Sequence, residues 1–255
     1  MRMLIRTSTT FLVMALAAVL FGPSTVSAAS ADLDPFYGVV SQKKLSGKDF
    51  DQMAEGRIGL YRVAVDWQRI DGSGDGDFNW NGLDETVEAT AERGIKLMPT
   101  FYSSPSWLTY DRRVMPVWSG YAIRSWEAML KAAVARFGNG GTFWREHPEL
   151  PETPITLWQI WNEPNIRNFA WPVSPGKYAK LVKVSAAAIR SVDPGGKIVL
   201  GGLYGTPPPG TGIDAGPFLK RLYRVDGFRK SFNIAAVHPY AADARRSLKR
   251  ILPVR

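Results

Sequence analysis

The sequence predicts a (β/α) barrel: a parallel sheet closed on itself, with helices outside. Three observations predict it. Apolar, β-branched and aromatic runs of strand length alternate with segments of helical period. Those runs are near-continuous rather than alternating, as expected of strands covered on both faces. Polar and aromatic residues gather just past several strand ends: Asp66-Trp67, residues 104–107, Asn162-Glu163, and His238 with Tyr240. In a barrel those ends meet at one rim, where active sites lie. No glycine-rich phosphate fingerprint follows any strand, which argues against a nucleotide-binding doubly wound sheet.

Residues 1–28 read as a secretory signal, with Arg2 and Arg6 as the positive start and Val26-Ser27-Ala28 as the cleavage site. The apolar run, residues 11–21, is too short for a stable membrane anchor. Residues 29–255 are therefore expected to form one exported domain, secreted or held at the cell envelope.

Residues 35–40 are the first strand, and 48–55 a helix burying Phe50, Met53 and Ala54. Residues 60–67 are a second strand. The acidic, glycine-rich stretch 71–77 superficially resembles a calcium loop, but it lacks the helical flanks and the closing glutamate. Residues 83–93 form a helix with Leu83, Val87 and Ala91 on one face and Gly94 as its stop. Strand 95–102 runs into a long loop, 109–120, and then into the clearest amphipathic helix, 121–137. The central strand, beginning at Ile155, leads to helix 177–192, entered through Ser174-Pro175 and closed by residues 193–196. A fifth strand at 197–203, a short helix from Pro217, a sixth strand at 233–240 and a basic helix at 242–252 complete the pattern.

Composition narrows the function. There is no cysteine, so disulfides and thiolate or zinc-cysteine chemistry are out. No residue set has metal-ligand spacing, and neither metal nor other cofactor is expected. The charge of +9 is scattered and comes without a nucleic-acid motif, so it points to solubility or wall association rather than nucleic acid. Nine Trp, nine Tyr and twelve Phe suit a carbohydrate partner, because sugar sites are built from aromatic faces.

The chain is centred on residues 155–165. Pro164 cannot donate to a ladder, so the strand should stop with Glu163 at its carboxyl tip. If alternation holds, Glu163 shares a face with Trp161, Gln159 and Leu157. A carboxyl against tryptophan in a half-dry cleft has a raised pKa, which suits a general acid.

With Trp-Asn-Glu-Pro after a fourth strand and His-Pro-Tyr after a sixth, the chain resembles the clan A glycoside hydrolases, with families 5 and 39 nearest in pattern. The resemblance runs over residues 37–240. It implies a TIM-type (β/α)8 barrel that hydrolyses β-linked poly- or oligosaccharide with retention. It implies Glu163 as acid/base, Asn162 on the sugar 2-hydroxyl, and Arg62 beside the nucleophilic carboxylate. His238 and Tyr240 would line the cleft. Trp107, Trp118 and Trp171 are candidates for stacking on sugar rings or for plain packing, and Trp161 for the core or the cleft wall.

One departure matters. The resemblance implies a nucleophilic glutamate after a seventh strand, yet only 15 residues follow Tyr240 and none is glutamate. Asp243 is poorly placed to replace it. The count therefore predicts about six of the eight βα units. A fragment of a longer product is favoured over an inactive relative or a barrel completed by another chain. Two rival functions remain: a non-catalytic carbohydrate-binding protein and a basic, envelope-associated structural protein.

Overall fold

The computed structural model describes residues 33–240. The expected signal segment 1–28, the expected basic helix 242–252 and Asp243 lie outside the described residues.

Five strands form one parallel sheet in sequence order: β1 (Asp34–Val40), β2 (Ile58–Asp66), β3 (Lys96–Tyr102), β4 (Leu157–Ile160) and β5 (Lys197–Leu200). The sixth position is filled irregularly. The fifth strand resumes as β6 (Leu203–Tyr204), which pairs in parallel with β7 (Val237–His238). Upstream of β7, Ile234 joins β5 by a parallel bridge, with the Leu200 N–H donating to the Ile234 carbonyl at 2.9 Å. The expected sixth strand, 233–240, thus shrinks to two ladder residues and a few bonds.

Helices cover the outer face. They are α1 (Gly47–Glu55), the short α2 (Trp67–Ile70), α3 (Asn81–Ala91), α4 (Gly120–Phe137), the short α5 (Thr142–Glu146), α6 (Pro175–Val192) and α7 (Ala215–Leu222). The two long helices start as their sequences dictate. The Ser119 hydroxyl accepts the Ala122 N–H at 3.0 Å, and the Ser174 hydroxyl accepts the Lys177 N–H at 3.3 Å ahead of Pro175. Such caps contribute about 1 kcal/mol each. On α6, Tyr178, Leu181, Val182, Ser185 and Ile189 recur at helical spacing and are all buried. Trp126 of α4 meets this face, its indole N–H donating to the Ser185 hydroxyl at 2.8 Å.

Trp67, Trp126, Trp158 and Trp161 are fully buried between sheet and helices. Trp126 packs on Trp67 at 5.3 Å and on Trp161 at 6.1 Å, so a run of indoles underlies the tips of β2 and β4. By contrast Phe36 and Tyr37 on β1, an edge strand among the described residues, stand 80% and 61% exposed. No described helix is long and apolar enough to cross a membrane.

One buried hydroxyl ties sheet and helices together. Tyr178 of α6 donates to the Ile160 carbonyl at 3.0 Å and accepts the Gly201 N–H at 2.6 Å. Gly201 is where the fifth strand breaks, and a Cβ there would sit 2.7 Å from the Trp161 carbonyl oxygen. Burial pushes the phenol above its ordinary value, so it stays a protonated donor. Tyr178→Phe should destabilise the chain by about 2 kcal/mol in urea unfolding, because it strands a buried carbonyl and a buried N–H. An unchanged midpoint would refute the tie.

Candidate active site

The inner face of the sheet carries a polar layer. Period-two alternation and the register Thr100↔Gln159 put Arg62 of β2, Thr100 of β3 and Gln159 of β4 on that face. Arg62 Nε donates to Gln159 Oε1 at 2.6 Å, and the Thr100 hydroxyl donates to the same oxygen at 2.6 Å. Gln159 Nε2 donates onward to the Leu200 carbonyl at 2.9 Å. With its amide satisfied on both ends, Gln159 fixes Arg62, whose Nη2 reaches Asn162 Oδ1 at 2.9 Å. Burial pulls the guanidinium below its ordinary value, while the nearby Tyr240, Glu163 and Tyr102 oppose that shift.

Alternation fails where the sequence reading relied on it. The strand ends at Ile160, and Trp161 and Glu163 both have left-handed backbone, with φ of +69° and +41°. That turn sends the Trp161 ring back into the core instead of leaving it on the cleft side. Its indole N–H donates to the Phe169 carbonyl at 2.7 Å and it has no exposed surface. Of core and cleft wall, Trp161 is therefore core and offers no surface to substrate, and Glu163 shares no face with it. Each left-handed residue costs about 1–2 kcal/mol. Burying the indole contributes at least that much.

The same turn delivers Glu163 to a different neighbour. Its carboxyl is 5% exposed and lies 2.7 Å from His238 Nδ1. Either partner can hold the shared proton: the ring N–H donates to a carboxylate, or the carboxylic acid donates to a bare nitrogen. The turn is pinned from beyond by Asn165, fully buried, whose amide donates to the carbonyls of Tyr204 and Ile213 and accepts the Tyr204 N–H. Tyr240 completes the group, 5.5 Å ring to ring from His238. Its phenol is pushed up mainly by burial and secondarily by the Glu163 charge.

The structure thus links Arg62 to Asn162 and Glu163 to His238, with Tyr240 beside them. It does not assemble the tryptophans. Trp107 clamps its own surroundings, donating to the Asp71 carbonyl at 2.8 Å and pressing on Gly74, where a Cβ would meet the ring at 2.6 Å. Trp118 and Trp171 are 43% and 44% exposed, and no ring contact or hydrogen bond joins either to Glu163. Arg113 and Arg167 lie over the Trp171 ring at 5.8 and 5.3 Å. The serines past β3 serve the loop: Ser103 accepts from Arg112 and Ser104 donates to the Val114 carbonyl. The other histidine, His147, lies away from this group, stacking on Phe143 and contacting Glu149.

Among the described residues, no carboxylate hydrogen-bonds Arg62, and Glu163 is the one carboxylate hydrogen-bonded to the His238 ring. No described cluster of three or more His, Cys, Asp or Glu could hold a metal ion.

Sequence reasoning missed Gly202. A Cβ there would lie 2.0 Å from His238 Nε2, so only glycine lets the imidazole reach Glu163. The available signal was Gly201-Gly202 inside an apolar strand, a mark of close approach by another group. Gly202→Ala should displace His238 while the fold survives. With only two histidines in the chain, imidazole NMR resolves the change, and His147 serves as the internal control. A His238 signal and titration identical to the parent's would refute this packing.

No protein-family model matches the chain. It is 28% identical over 154 residues to a β-xylosidase of Geobacillus stearothermophilus, an alignment covering 57% of this chain and 28% of that protein. The chain thus spans well under a third of that relative's length. Among solved structures, a GH39 enzyme from Xanthomonas axonopodis pv. citri superposes with a TM-score of 0.58 at 17% identity, covering 88% of this chain and 48% of the other. A GH5-4 broad specificity endoglucanase from Clostridium acetobutylicum gives 0.55 at 14% identity, covering 83% and 64%. The curled parallel sheet is accordingly part of a (β/α)8 barrel. In sequence the chain is similar to a β-xylosidase, and in fold to clan A glycoside hydrolases of families 39 and 5.

Proposed function

We propose that this is an exported glycoside hydrolase acting on β-linked xylo- or gluco-oligosaccharide with retention of configuration. The observation that carries the reading is the buried Glu163 carboxyl, bonded to His238 at the strand tips beside the Arg62–Asn162 pair. Glu163 protonates the glycosidic oxygen as the bond breaks, then takes a proton from the attacking water. His238 holds the carboxyl in place through both steps. Asn162, oriented by Arg62, bonds the sugar 2-hydroxyl as oxocarbenium character develops. The second carboxylate, about 5 Å from the first in such chemistry, comes from a segment beside the edge of β7 that is unpaired among the described residues. The signal-like residues 1–28 support export.

The same facts favour one rival. If nothing supplies that second carboxylate, the site binds sugar without cleaving it. Leaving-group dependence separates the two readings. Glu163→Gln should lower kcat/KM for xylobiose by about 10²–10⁴-fold, and far less for an aryl β-xyloside whose leaving group needs no proton. Parent and variant that are equally inert, yet bind xylo-oligosaccharide equally, would establish the binding reading instead.

A further inference from the structure

A second concavity lies outside the barrel, between the first turn of α3 and the last turn of α4. It is an open groove of about 440 Å³. Phe78 and Trp80 form its apolar part, with centroids 5.6 Å apart and planes tilted by 44°. Phe137 meets Trp80 edge-on at 5.7 Å and holds the indole in place. The loop leading in is tied as well. The Asn79 N–H donates to the Ile70 carbonyl at 2.8 Å, and Asn79 Oδ1 accepts the Asn81 N–H at 3.1 Å.

The polar groups fall into two sets. Arg136 is fully engaged, with Nε and Nη2 on the Asp84 carboxylate, both at 2.8 Å, and Nη1 on Glu146 at 2.9 Å. Among the described residues no hydrogen bond engages the Asp77 carboxylate, the Asn81 side-chain amide or the Trp80 indole N–H. An acceptor, a donor-acceptor amide and an indole donor beside aromatic faces match a pyranose. Its C–H face rests on a ring while its hydroxyls donate to the carboxylate and accept from the amide. Asp77 and Asp84 outnumber the single guanidinium in the walls, so an anionic sugar is disfavoured.

We infer that this pocket is a second carbohydrate-binding site, taking neutral pyranose units of a β-linked chain. The choice of ligand rests on the proposed function.

The test is a titration of the ¹⁵N-labelled full chain with xylohexaose and with cellohexaose. The Trp80 indole N–H signal is followed among the nine tryptophans and is identified with Trp80→Phe. It should shift saturably in the parent and equally in Glu163→Gln. In an Asp77→Ala/Asn81→Ala double variant the same shift should need about tenfold more sugar. Both positions are exposed, so circular dichroism of the double variant should match the parent. A signal unmoved by either sugar, or a double variant that titrates like the parent, would overturn the inference. A larger response to oligogalacturonate would overturn the neutral class. Hydrolysis with a silent Trp80 sinks this site alone, whereas a Trp80 response without hydrolysis sinks the proposed function alone.

Discussion

The arrangement at the strand tips depends on the left-handed backbone at Trp161 and Glu163. An ordinary strand would carry Trp161 into the barrel and leave Glu163, two residues further, on the same face. The turn separates the two, seating the indole among the helices and swinging the carboxyl towards β7. Such a conformation persists only where its surroundings over-determine it. Here they do so from three directions. The Trp161 N–H donates to the Phe101 carbonyl at 2.8 Å, Tyr178 holds the preceding carbonyl, and Asn165 stitches the following residues to β6.

The inner polar layer works in the same sense. Arg62, Thr100 and Gln159 come from three adjacent strands, and their bonds end on the backbone of a fourth at Leu200. A cation in a half-dry interior is costly unless its donors are met. Gln159 and Asn162 meet them with neutral oxygens rather than with a carboxylate. Among the described residues no carboxylate bonds the guanidinium, and Tyr240, Glu163 and Tyr102 lie near enough to favour its charge.

The alternation of strands and helices was legible because each long element repeats its own period, and because Ser119, Ser174 and Pro175 mark the helix starts. The short α2 and α5 were missed, since four or five residues hold too little periodicity to register. Within the site, Arg62, Asn162, Glu163 and His238 could be named from motif and strand position. Where Trp161 points could not, because alternation assumes that the strand persists to the proline. Gly202 was hidden for another reason: its importance lies in a side chain 36 positions along the chain, seen only once β6 and β7 lie side by side. Nothing local marks Tyr178 out, because its hydroxyl matters only through the backbone of two strands that it bridges.

The sheet order carries a kinetic consequence. From β1 to β5 every strand pairs with the one made just before it, so the sheet can grow in step with synthesis. The Glu163–His238 contact breaks that rhythm, closing over 75 residues and waiting for the last described strand. A nascent chain can therefore bury its tryptophan layer and resist proteolysis while its acid is still unpartnered. Durability arrives before competence.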